Sequence, residues 1–137
     1  MNLDRLVVLR GAAAGSILAV PAALANGILA AQDDRSAALS ILTLVVLVAG
    51  FAVAGFSAGH ERPDDALRHG VAAALVAFVL VQALAVLNRL DRGTGVSLAS
   101  IVVTAFLAAG AGATGANLAV RRQASRQAGR QDRRPRS

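Results

Sequence analysis

Residues Ala38 to Gly59 read ALSILTLVVLVAGFAVAGFSAG, without one charged side chain. A helix lying on a water-soluble core keeps a polar face, because one side meets solvent. This stretch has no polar face at any period. At 1.5 Å per residue it is long enough to cross ~30 Å of hydrocarbon, and a block so bare of charge reads as a membrane span.

Working outward, three more blocks of the same kind emerge, and spans are expected at about 6–31, 37–59, 66–88 and 96–120. The connectors are short: QDDRS, HERPDD and RLDRGTG. In lipid the backbone must satisfy its own hydrogen bonds, so each block should be a helix and irregular chain should be confined to the connectors. The chain is 137 residues long, enough for one domain, and 55% hydrophobic, with a mean hydropathy of +0.58. The expectation is an all-α transmembrane bundle of four helices in two hairpins, residues 1–120, followed by an arginine-rich cytoplasmic tail over 121–137 that extends the fourth helix briefly and is then disordered.

All 14 basic residues are arginine, a coding bias that suggests a high-GC bacterial genome and hence the inner membrane. Arg5 and Arg10, Arg62 and Arg68, and the seven arginines from Arg121 onward fall on one side of the expected topology. Only Arg35, Arg89 and Arg92 fall on the other. The positive-inside rule then puts both termini and the middle connector in the cytoplasm. Ala23-Leu24-Ala25 offers a rival reading, since it resembles a signal-peptidase site behind a basic start. Cleavage there would leave three spans, but apolar sequence continues past the site and completes a full first one.

The second half echoes the first. At a spacing of sixty, Ser40-Ile41 recurs as Ser100-Ile101, Ala49-Gly50 as Ala109-Gly110, Gly55 as Gly115 and Arg62 as Arg122, and near a similar spacing LRGAAAG echoes RHGVAAA. Two helices per unit would make this a parallel tandem repeat, against the alternative of chance identity in an alanine-rich chain.

The middle connector, GHERPDDALRHG, gathers two histidines, a glutamate and two aspartates. His60-Glu61 lacks the second histidine of a zinc-binding H-E-x-x-H, so His60, Asp64 and His69 make a poor metal set. A hairpin turn accounts for every residue: Pro63 ends one segment and Asp64 and Asp65 cap the next helix. His69, at the membrane surface, is the group that could titrate near neutral pH. Gly50, Gly55 and Gly59, then this polar turn, then Leu67-Arg68-His69-Gly70 opening the third span, resemble a pattern in small four-helix bacterial integral membrane proteins of unknown function. The resemblance covers nearly the whole chain apart from the tail; it implies architecture and carries no activity.

Cysteine is absent, which excludes disulfides, thiolate metal sites and cysteine nucleophiles. No cofactor, metal or enzymatic activity is expected, and no ionisable residue falls at mid-membrane depth to serve a proton relay. The intramembrane polar residues Asn26, Gln82 and Asn117 read as interhelical hydrogen-bond formers, or alternatively as the lining of a minimal transporter or channel. Pro21 should kink the first helix.

Small residues are the leading functional signal. Gly11, Gly15, Ala19, Ala23, Gly27 and Ala31 fall at four-residue steps, with matching surfaces at Gly50, Ala54 and Ala58 and at Ala108, Gly112 and Ala116. Such ridges let backbones approach closely in lipid, pointing to a structural or interaction protein that packs with itself or with a larger membrane partner. In the tail, Arg121, Arg122, Arg126 and Arg130 are candidates to hold anionic lipid headgroups. Nucleic-acid binding is disfavoured, because Trp and Tyr are absent and the tail has no aromatic to stack bases.

Overall fold

A computed structural model of the chain describes residues 3–29, 32, 36–93 and 95–131. Ala31, Arg35, Arg133, Arg134 and Arg136 lie outside the described residues, as does the side chain of Arg130. Among the described residues the protein is all-helical: α1 (Arg5–Leu29), α2 (Ala37–Glu61), a single 3-10 turn (Pro63–Asp65), α3 (Ala66–Asp91) and α4 (Leu98–Gln131). All four α-helices are long and apolar enough to cross a membrane. Large apolar side chains such as Ile17, Phe106 and Leu98 are about three-quarters exposed on the outside of the bundle, a surface suited to lipid rather than water.

Helix ends follow local chemistry. The Ser36 hydroxyl accepts the Leu39 N–H at the start of α2, a hydroxyl N-cap. Asp65 departs from expectation. It is the N-cap of α3, yet its side chain makes no capping bond. Its φ of −122° and ψ of 29° lie outside the extended conformation from which a cap side chain reaches the next turn. The fourth helix runs on to Gln131, well past the short extension expected, since Ala, Arg and Gln are strong helix formers.

The interior is built from small side chains. α1 and α4 each pack on both α2 and α3, and α2 also packs on α3. Among the described residues Phe51 is the one large side chain fully buried, and it meets Phe78 edge to face at 6.4 Å between ring centres. Elsewhere alanine and glycine line most of the contacts, with Val7, Val8, Leu47 and Val81 also buried. A Cβ at Gly11 would lie 2.8 Å from the Ala54 carbonyl oxygen and 2.9 Å from the Ala58 methyl, and one at Gly15 would lie 2.5 Å from the Gly50 oxygen. Successive small residues of α1 therefore meet α2 in descending order.

The same contact recurs between α3 and α4. A Cβ at Gly70 would lie 3.2 Å from the Gly112 oxygen and 2.6 Å from the Ala116 methyl. Gly70 stands 59 residues after Gly11, while Gly112 and Ala116 stand 58 after Ala54 and Ala58. The contact register thus sits just below the sixty read from sequence identities. It coincides with the echo of LRGAAAG in RHGVAAA. Gly110, sixty after Gly50, consequently faces outward instead of matching Gly50 at a contact.

Candidate functional site

The polar residues gather where α1 begins, α2 ends, α3 begins and α4 emerges as its arginine-bearing extension. Arg62 donates to the Asp4 carboxylate at 2.7 Å, and Arg10 lies 3.6 Å from Glu61. The Arg62 guanidinium beside Asp4 holds its carboxyl below the usual aspartate value, helped by the Leu6 and Val7 N–H groups and opposed by partial desolvation.

His69 is only 4% exposed and is the one buried polar or charged side chain among the described residues. The ring is thus shielded from solvent, because the start of α1 covers it. Its Nε2 receives the Asp4 backbone N–H at 3.0 Å, and its Nδ1 lies 3.1 Å from the Asp65 carbonyl oxygen. A carbonyl only accepts and an N–H only donates, so Nδ1 is the donor in one bond and Nε2 the acceptor in the other. With both nitrogens occupied, His69 ties α1 to the turn before α3.

His60 belongs to a separate group. Its ring stacks on Phe56, 6.1 Å between centres and 5° from parallel. The Gln123 amide donates to the His60 carbonyl at 2.8 Å and sits 2.9 Å from His60 Nδ1. The Arg122 guanidinium lies over the other part of this platform, 5.4 Å from the Phe56 ring centre, within cation–π range. The two histidines thus face different partners, and among the described residues no three His, Cys, Asp or Glu side chains converge for a metal ion.

The expected packing residues divide. Gly11, Gly15 and Ala19 are buried against α2, and Gly50, Ala54, Ala58 and Gly112 are buried too. Ala23 and Gly27 are only half-buried, and Ala22 is buried instead. A step of four residues advances about 400° around a helix of 3.6 residues per turn, so a strict ridge drifts off the contact. At Gly27 the neighbour is the Asn88 side chain of α3, not α2.

Asn26, Gln82 and Asn117 are not brought together. Asn26 lies 3.4 Å from the Thr43 hydroxyl of α2, Gln82 is half-buried on α3, and Asn117 is exposed on α4. Because Gly112, Gly115 and Ala116 turn inward, Asn117 is turned out. Nor does it share a level with Asn26: Ala116 packs beside Gly59 and Gly70, near the polar end, whereas Thr43 lies early in α2. Arg121, Arg122 and Arg126 are exposed. What sequence reasoning missed is the platform of Phe56, His60, Arg122 and Gln123, whose members lie up to 67 residues apart and carry no joint motif. Comparison with family models, with curated proteins and with solved structures finds no match.

Proposed function

We propose that the chain is a multi-pass protein of a bacterial inner membrane, two helical hairpins with both termini in the cytoplasm. Its role is that of a structural, non-enzymatic interaction protein. It associates with a second copy of itself through the outer face of α4, and the arginines of the α4 extension rest on anionic headgroups at about 1 kcal/mol each near the surface. The clustering of Arg5, Arg10, Arg62 and Arg68 with that extension supports the inside assignment.

One observation carries the interaction reading. Gly110 has no atom within 4 Å of where a Cβ would sit, whereas Gly11, Gly15, Gly27, Gly50, Gly55, Gly59, Gly70, Gly112 and Gly115 each have a neighbouring helix there. Glycine inside a helix costs about 1 kcal/mol against alanine, and within this bundle Gly110 has no packing role that offsets it. The same face carries exposed Val103, Phe106, Thr114 and Asn117, at helical spacing. The Asn117 amide has no hydrogen-bond partner among the described residues. Lipid offers it none; a neighbouring helix can, typically for about 0.6 kcal/mol.

Two copies inserted the same way are related by a two-fold axis along the membrane normal, so one patch meets itself. Gly110 then faces Gly110, and backbones approach closely. Co-expression of two differently tagged copies tests this: they should co-purify, and Gly110→Leu should lower recovery severalfold while helicity is kept. Undiminished recovery with Gly110→Leu would remove α4 from the interface. Recovery of another membrane protein with no second copy would replace self-association by a larger partner.

A further inference from the structure

We infer that the cleft between α2 and α4 is a binding site for an anionic phospholipid, with acyl chain in the cleft and phosphate on Arg122. The cleft, of about 360 Å³, is lined by Ala49, Ala52, Val53, Phe56, Gly115 and Leu118, with Arg122 at its mouth. That volume lies within the ~300–1,000 Å³ of ligand pockets. Gly115 forms the floor: a Cβ there would overlap the Ala52 carbonyl, so the helices touch beneath while the alanines leave the space above open. From Phe56 to Ala49 the cleft descends seven residues, about 10 Å at 1.5 Å per residue, from the polar end into the apolar span. An acyl chain fits that environment and a hydrated solute does not.

The mouth selects charge. Arg10 and Arg62 are matched with Glu61 and Asp4, but Arg122 has no carboxylate among the described residues. Its guanidinium carbon lies over the Phe56 ring, and no acceptor among the described residues takes its N–H groups, which suit paired hydrogen bonds to a phosphate. The platform is held: His60 stacks under Phe56, and Gln123 fixes His60 through both its ring and its carbonyl. This site lies on a different side of α4 from Gly110. It rests on the membrane-spanning reading of the bundle and not on self-association.

The test is native mass spectrometry of the full chain in detergent, with phosphatidylglycerol and phosphatidylcholine of identical chains offered together, in low and high salt. The wild type should retain phosphatidylglycerol preferentially in both. Arg122→Gln should lower that preference roughly fivefold, equivalent to about 1 kcal/mol for one arginine at a membrane surface. Ala49→Phe, at an exposed position where added bulk occupies the cleft, should lower retention of both lipids. Val53→Trp provides a second filling variant should Ala49→Phe fail to fold. Excess inorganic phosphate should not displace the lipid. Equal retention of the two lipids by the wild type would overturn the site. Unchanged retention in a folded filling variant would do so too, as would binding abolished by salt, which would leave only diffuse attraction to the tail. Displacement by inorganic phosphate would show a phosphate site without an acyl chain.

Discussion

Gly55 and Gly112 meet main chain to main chain: a Cβ on Gly55 would overlap the carbonyl of Gly112. Gly70 joins them, 3.0 Å from the Gly55 oxygen and 3.2 Å from that of Gly112 when a Cβ is placed on it. Three helices therefore converge at three glycines. Because backbone stands where the side chain would go, neither helix can yield without moving as a whole. Gly55→Ala and Gly112→Ala should each destabilise the bundle by about 1–3 kcal/mol or more, the cost of overpacking. Gly110→Ala, with open space around it, should stabilise the isolated chain by up to ~1 kcal/mol through helix propensity. Unfolding in detergent followed by circular dichroism would separate the two classes. Tolerance of alanine at Gly55 and Gly112 alike would refute the contact.

Along α1 the expected order of damage is Gly15→Leu, then Gly27→Leu, then Leu18→Ala. Gly15 faces the backbone of Gly50, whereas Gly27 faces the movable end of the Asn88 side chain. Leu18 is 41% exposed, and exposed substitutions usually stay within about 0.5 kcal/mol. The yield of folded protein should follow this order. Equal yields for all three would mean that the small ridge does not hold α1 in place.

Acid should weaken the joint between α1 and α2. The pairing with Arg62 lowers the Asp4 pKa below its ordinary 3.8, so the folded state favours the charged carboxylate. The stabilisation is complete above that ordinary value and is lost as pH falls through the lower, folded one. Asp4 and Arg62 are both partly exposed, so the effect is small and shrinks with salt. Asp4→Asn leaves the backbone N–H on His69 in place while removing this acid-dependent part. A wild type whose stability advantage over Asp4→Asn persists unchanged into strong acid would contradict the assignment.

Topology has its own test. A reporter fused after Asp65 that is active only in the periplasm should stay silent, because the arginine bias assigns that turn to the cytoplasm. Periplasmic activity there would invert the orientation and move the α4 extension outside as well.

The four helices were legible because charge-free length is a local property: Ala38–Gly59 needs no knowledge of its neighbours to be read as a span. The packed faces were legible only in part. Four-residue steps identified Gly11, Gly15 and Ala19, then drifted around the helix and missed Ala22. The burial of His69 was not legible because what covers it is the start of α1, 65 residues away, and a contact that distant leaves no periodic trace. The Phe56 platform was hidden for the same reason. Gly110 looked like a partner of Gly50 in the repeat, and only the register of the packed helices reveals that it points away.

The most direct test of the account is disulfide cross-linking in native membranes. The chain has no cysteine, so a single Gly110→Cys reports one contact. A disulfide needs Cα atoms within about 7 Å, a distance that only backbone-close helices reach. The comparison site is Ile17→Cys on α1, where the native side chain is 73% exposed. Self-association through α4 predicts a covalent dimer on oxidation at Gly110→Cys and none at Ile17→Cys. No dimer at Gly110→Cys, or equal dimers at both positions, would contradict it.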